Sequence, residues 1–325
     1  MRNQGLGSWI HRQRVKSRDR VAIIHGDRQI TYDALAERID RLSNALHERG
    51  VRKGDRVAYL GGNHIAFLET FFACGQLGAI IVPINTRSAP PEIEYVLDDS
   101  ATEVLVFDTR MRDLARAGSW SSGVRHRLHI DGEAYEAVES YEDALQAGSP
   151  KTRDDLVTRA DPAMILYTSG TTGRPKGAVL THGNFTWNSM NVLVDYDLTS
   201  SSTTLLIAPM FHGASLGMGA LPTLLKGGRL VLHNEFVPAD VLSDIAHHQV
   251  TLLSGVPTTF QLLAEHPDWE AADLSSLQMI SCGGSQLPRR VSDAYVNRGI
   301  AFSMKYGMTE TSPTRRPGTP VSTRG

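Results

Sequence analysis

Apolar positions along this chain follow two alternating rhythms. Short continuous or period-two runs read as strands, and runs spaced three and four apart read as helices. A hairpin is predicted at 21–24 and 28–31, with Gly26-Asp27 at its turn. A helix follows at 32–49, with Thr31 as its N-cap, Leu35, Ile39, Leu42 and Leu46 on one face, and Gly50 as its stop. Beyond it come a strand at 56–60, a helix at 66–77, a fully apolar strand at 79–84, a short helix at 91–97 and a strand at 103–107. Residues 108–160 are less regular, with Gly/Ser-rich patches at 118–123 and 148–150, and read as loops and a connection. Alternation resumes with strands near 163–167, 204–207, 229–232, 252–254, 279–281 and 301–305, and with helices such as 239–248 and 288–297. No repeat period is evident. This order predicts an α/β fold of parallel sheets with helices on both faces.

Composition narrows the field without choosing a function. At about 150 residues per domain, 325 residues suggest two domains. Lys and Arg total 33 against 35 Asp and Glu, so no global basic field exists for nucleic acid. The longest apolar run, 77–84, is far short of the roughly 20 residues that a membrane span needs. No transmembrane segment is therefore expected, and peripheral membrane contact stays open. Cys74 and Cys282 lie far apart and have no metal-ligand spacing. Two free thiols fit a reducing cytosol, so a cytoplasmic location is expected. The Arg-rich first twenty residues lack a secretory core and read as a solvated first helix, with an organelle-targeting peptide as the alternative.

Chemistry concentrates in Leu166-Tyr-Thr-Ser-Gly-Thr-Thr-Gly-Arg-Pro-Lys-Gly177, directly after a predicted buried strand. Thr168, Ser169, Thr171 and Thr172 supply hydroxyls. Gly170, Gly173 and Gly177 permit close backbone approach, and Lys176 adds a mobile positive charge. Free N–H groups, hydroxyls and a lysine are what a polyphosphate takes from a loop. The Walker A pattern does not fit, because it requires Gly at 175 and Ser or Thr at 177, where Pro175 and Gly177 stand.

This segment resembles the phosphate-binding loop of the adenylate-forming enzymes, the superfamily of acyl-CoA synthetases, peptide-synthetase adenylation domains and luciferases. Further segments fall in the same order. Val82-Pro-Ile-Asn-Thr86 and Gly255-Val-Pro257 match. Pro209-Met-Phe-His-Gly213 resembles the acid-site motif, Gly283-Gly-Ser-Gln-Leu-Pro288 the adenine loop, and Tyr306-Gly-Met-Thr-Glu310 the nucleotide and magnesium motif. The resemblance runs from about residue 8 to Glu310. It implies the large N-terminal lobe of that fold, with parallel sheets in stacked subdomains.

The resemblance also implies roles. Thr168, Ser169, Gly170, Thr171, Thr172, Gly173 and Lys176 would hold the β- and γ-phosphates of ATP. Gly283, Gly284 and Ser285 would pass beside the adenine, with Tyr306 stacked on it. Gly307, Met308 and Thr309 would line the α-phosphate region, and Glu310 would hold Mg²⁺. His212 would stand at the carboxylate entrance. His182 reads as structural, a cap for a helix starting near Asn184, and the pair His247–His248 takes no functional role. Catalysis would rest on Lys176, His212, Thr309 and Glu310, joining a carboxylic acid to AMP and then to CoA.

Peptide-synthetase domains commonly place an Asp in the acid pocket. None occurs in 210–219 or 254–260. Phe211, His212, Ala214, Leu216, Met218, Gly255 and Val256 instead suggest an apolar pocket and a fatty or aryl acid.

After Glu310 the match dissolves. Residues 311–325 hold three Pro, four Thr, three Arg and one aliphatic residue, and are expected to be a disordered or non-homologous tail. The family's ribose-binding Asp and its small C-terminal lobe, with a lysine, have no counterpart in the sequence. The chain is read as an incomplete adenylation domain over 1–310. The alternative function is an ATP- or acyl-binding module, or an inactive remnant, without full turnover.

Overall fold

The computed structural model describes residues 2–168, 174–300, 302–304 and 307–309. It divides into two compact units, residues 1–20 with 31–186, and residues 21–30 with 187–325. Its strands are β1 (Val21–His25), β2 (Arg28–Thr31), β3 (Arg56–Leu60), β4 (Ile80–Ile84), β5 (Thr102–Asp108), β6 (His126–Ile130) and β7 (Glu139–Ser140). Then come β8 (Pro162–Thr168), β9 (Lys176–Thr181), β10 (Thr203–Leu206), β11 (Arg229–Leu232), β12 (Leu252–Gly255), β13 (Met279–Cys282) and β14 (Phe302–Met304).

In the first unit the order is β7-β6-β5-β3-β4-β8-β9. All neighbours pair in parallel except β8 and β9, which form an antiparallel hairpin. The helix Tyr32–Glu48 forms as its pattern predicts. The Thr31 hydroxyl accepts from Ala34 N at 3.2 Å, and Leu35, Ile39, Leu42 and Leu46 are fully buried. The helix Ile65–Leu77 is buried along its whole length, which suits its nearly unbroken apolar sequence. It starts at His64, whose imidazole accepts from Ala66 N, and ends on Gly78 at φ 71°, a left-handed cap.

Residues 108–160 are more ordered than their sequence suggests. They hold the helix Arg112–Ser119, β6, β7 and the helix Tyr141–Ala147. The patterning hides them because their contacts use polar and small residues. β6 reads His-Arg-Leu-His-Ile, with the buried Arg127 donating to Ser119 Oγ and O. Gly118 lies so close to Ile93 that a Cβ there would sit 2.8 Å from its side chain.

In the second unit the order is β14-β13-β12-β10-β11-β1-β2. Strands β14 to β11 are parallel, and β1 joins β11 in parallel. The apolar layer beside this sheet centres on Leu205, Leu253, Ile280 and Phe302, packed on Phe260 and Tyr295 from the flanking helices. Phe260, Tyr295 and Phe302 meet edge to face at 5.0–5.8 Å, and the Tyr295 hydroxyl donates to Phe260 O at 2.9 Å.

The two sheets share a plan that no sequence repeat announces. Five parallel strands run β4-β3-β5-β6-β7 in one and β11-β10-β12-β13-β14 in the other, with a hairpin added beside β4 or β11. In each, the chain moves one strand outward and then crosses back over its starting strand. In the second unit this puts the reversal between β10 and β12, where open α/β sheets bind ligands at the carboxyl ends of their strands.

Candidate active site

The first unit supplies the hairpin β8–β9, which carries the glycine-rich segment. Thr168 pairs with Lys176 across the two strands at the mouth. Thr168 is half-buried and Lys176 exposed. Ser169, Gly170, Thr171, Thr172 and Gly173 lie outside the described residues. Gly177 is required by close approach, since a Cβ there would sit 2.7 Å from Ile165. The Tyr167 hydroxyl donates to Asp99 at 2.6 Å, tying β8 to the helix Pro90–Asp99; burial and the Asp99 carboxylate raise its pKa.

The base of the hairpin is anchored by a clamp that the motif reading missed. Asp161, just before β8, accepts from Lys53 Nζ at 2.6 Å and Thr158 N at 2.7 Å through its carboxylate, and from His182 N at 3.1 Å through its carbonyl. His182 is not a helix cap. The helix His182–Tyr196 begins at His182 itself, and Thr181 and Asn184 cap each other: Asn184 N donates to Thr181 Oγ1 and Thr181 N to Asn184 Oδ1. The imidazole instead turns inward, where Nδ1 accepts from Leu6 N at 3.3 Å.

Burial pushes His182 down to about 4 from an ordinary value of 6.5. Between those two values the unfolded chain binds a proton that the native chain refuses, so stability falls as pH falls. The full effect is about 3 kcal/mol, present above pH 6.5 and lost by about pH 4. His182→Asn is expected to flatten this limb in urea unfolding at pH 7 and pH 4.5. An unchanged slope would contradict the assignment.

The second unit gathers the other motifs on one sheet edge. Leu206 pairs with Ser254, Gly255 with Cys282, and Cys282 with Met304. The segments after β10, β12 and β13 therefore leave side by side, next to the end of β14, and the first two flank the point of strand reversal. Gly283 N donates to Gly255 O at 3.2 Å. Gly284 stands at φ 91°, a left-handed conformation that favours glycine, with Val256 the nearest side chain to where a Cβ would point. Ser285 is exposed, and Val256 is 44% exposed. Gly307 and Met308 are also exposed and Thr309 half-buried, while Tyr306 and Glu310 lie outside the described residues.

His212 follows β10 on a tight turn, with its N–H on Pro209 O at 3.1 Å and its exposed ring 4.6 Å from Phe211. Behind it the chain makes one π-helical turn, Leu216–Ala220, a distortion frequent near functional sites. Leu216 is fully buried beneath this turn and Met218 nearly so. Asn188 Nδ2 donates to Gly217 O at 2.7 Å, and the Tyr196 hydroxyl to Ser281 Oγ at 2.8 Å, both out of water. Neither polar anchor belongs to a motif. Among the described residues no three His, Cys, Asp or Glu side chains are grouped to hold a metal, and no helix is long and apolar enough to cross a membrane.

Residues 10–322 match the family described as AMP-binding enzyme, and the chain belongs to that family. It is 48% identical to a feruloyl-CoA synthase of Amycolatopsis sp. over 313 residues, 96% of this chain and 61% of that protein. It is 35% identical to an indoleacetate–CoA ligase of Aromatoleum aromaticum, over 95% of this chain and 60% of that one. Its fold matches the N-terminal domain of FACL13 from Mycobacterium tuberculosis with a TM-score of 0.87 and 26% identity, covering 94% of this chain and 76% of that one. The chain spans about three fifths of the length of these curated relatives.

Proposed function

We propose that this chain carries the acid-activating lobe of an AMP-forming acyl-CoA ligase whose substrate is an aryl or other apolar carboxylic acid. The observation that carries the reading is the carboxyl edge of the second sheet. Around its strand reversal stand the exposed valine of 255–256, the glycines 283–284, the second of them exposed and left-handed, and the turn bearing Phe211 and His212. Such an edge suits a flat ring beside bare backbone and an apolar acid. The 48% identity to feruloyl-CoA synthases favours an arylpropenoic acid.

In the first step a carboxylate oxygen attacks the α-phosphorus of ATP. The bond to the β-phosphate breaks and pyrophosphate leaves. In the second, the CoA thiol gives up its proton and attacks the acyl carbonyl, and AMP leaves. No protein nucleophile is needed, so the protein's contribution is positioning and charge neutralisation. Thr168 and Lys176 hold the phosphates together with residues 169–173, Gly283–Ser285 and Tyr306 take the adenine, and Gly307–Thr309 take the α-phosphate. His212 meets the carboxylate, with Phe211, Leu216, Gly255 and Val256 shaping its pocket. Magnesium, when bound, offsets phosphate charge. Glu310, a hard carboxylate donor, is the residue assigned to hold it, and it lies outside the described residues.

Pyrophosphate exchange into ATP tests this reading with ferulate, indoleacetate, palmitate and alanine as acids. Exchange is expected with the aryl acids and not with alanine. ATP-dependent thermal stabilisation without exchange would leave only a binding module. Exchange driven by alanine would refute the apolar pocket.

A further inference from the structure

The first residues of the chain are stitched to the segment that leads into the β8–β9 hairpin, to the helix Ile65–Leu77 and to the residue that follows β9. Arg2 N and Asn3 N donate to the two carboxylate oxygens of Asp154 at 2.7 and 2.9 Å. The buried Asn3 side chain donates to Gly75 O and Gln76 O at the end of the helix Ile65–Leu77, and its Oδ1 accepts from Gly5 N. Gln4 N donates to Val157 O, and Leu6 N to His182 Nδ1. Two glycines make this path available. A Cβ at Gly7 would lie 2.4 Å from the Gly75 backbone, and one at Gly5 would lie 3.0 Å from the His182 ring.

His182 is where this strap meets the hairpin. It directly follows β9, the strand that returns from the glycine-rich loop, and its own N–H is held by Asp161 just before β8. One residue thus joins the two hairpin ends through its backbone N–H and meets residues 2–8 through its imidazole. The ring is 1% exposed, and its Nε2 has no hydrogen-bond partner among the described residues. The sole polar function shown for the ring is to accept from Leu6.

We propose that residues 2–8 are a strap that sets the phosphate hairpin, with His182 as the positioning residue through which it acts. Lys176 lies about 20 Å along β9 from this anchor, at roughly 3.4 Å per residue. A frayed anchor would let the hairpin tilt and misplace the lysine and Thr168. Coupling of this kind through packed structure is worth about two- to thirty-fold in affinity. The effect on nucleotide rests on the function proposed above, whereas the effect on the hairpin does not.

Three variants of the full chain test it: His182→Phe, which keeps a ring without the acceptor; His182→Asn, which offers Oδ1 in place of Nδ1; and Asp154→Ala, which frees the strap at the surface. The readouts are hydrogen exchange of the 174–181 amides without ligand, and KM for ATP and for the acid in pyrophosphate exchange. His182→Phe should speed exchange of those amides and raise the ATP KM about two- to thirty-fold, leaving the acid KM unchanged. His182→Asn should stay close to the parent, and Asp154→Ala should shift the same way by less. A lowered melting temperature with unchanged hairpin amides and ATP KM would overturn the strap, as would His182→Asn behaving like His182→Phe. If His182→Phe fails to fold, Asp154→Ala decides on the same readouts. If even the parent shows no acid-dependent exchange, the nucleotide reading fails, and unchanged amides in Asp154→Ala would remove the strap as well.

Discussion

Lys176→Ala is expected to lower acid-dependent pyrophosphate exchange by about two to three orders of magnitude. Lys176 opens β9 opposite Thr168, and its ammonium makes no ion pair with any described residue. Lys53 in the same unit shows the contrast, being held on Asp161 at 2.6 Å. On the function proposed above, an exposed cation at the mouth of the hairpin would follow charge as it builds on the departing pyrophosphate. That charge is larger in the transition state than in bound ATP, so the loss should fall on kcat as well as on the ATP KM. Because the side chain is exposed, the melting temperature should stay within about a degree, the scale of a surface change of 0.5 kcal/mol or less. Lys176→Arg should restore only part of the rate, since a planar guanidinium does not reproduce a compact ammonium. Exchange within threefold of the parent in Lys176→Ala would remove the lysine from the mechanism.

The readable parts of this molecule are those where one kind of residue does one job. The face Leu35, Ile39, Leu42, Leu46 predicts its helix because burial selects it directly, and all four are fully buried. The glycine-rich segment stands out because hydroxyls, glycines and a lysine crowd into ten positions. Order along the chain also brings out the family, which the match over residues 10–322 confirms.

What stays hidden is where packing uses residues that look like loop. Gly118, Ser119 and Arg127 build part of the first unit's interior yet read as irregular. β9 is hidden by the glycine-rich segment itself, because Lys176 and Gly177 belong to both. The duplicated strand order is invisible because backbone pairing fixes it and side-chain periodicity does not. The neighbours Gly255 and Gly283 are likewise joined by a ladder 28 positions apart, which spacing cannot report. His182 reads as structural, and is, but its inward partner is hidden for a related reason: Leu6 is 176 positions away. The expectation for residues 311–325 lies outside the described residues.

Arg38→Ala should destabilise the first unit by about 3–5 kcal/mol, the usual result of stranding a buried carboxylate. Glu69 stands in the middle of the buried helix Ile65–Leu77 and is fully buried. Arg38, from the neighbouring helix Tyr32–Glu48, grips it with Nε at 2.5 Å and Nη2 at 3.2 Å, and also holds Glu142 at 2.6 and 3.0 Å. The Tyr141 hydroxyl donates to Glu69 at 2.7 Å. One guanidinium therefore joins three helices and neutralises an acid that is shut off from water. Removing it leaves Glu69 with the Tyr141 hydroxyl alone. Glu142→Gln should cost only about 0–1 kcal/mol, because that carboxylate is 35% exposed and rehydrates. Adding Glu69→Leu to Arg38→Met should recover most of the loss, since an apolar replacement of both partners strands no charge. Urea unfolding of these variants at pH 7 measures all three. A loss under 1 kcal/mol in Arg38→Ala would show that Glu69 is solvated by another route, and the ion cluster would then not be what holds these helices together.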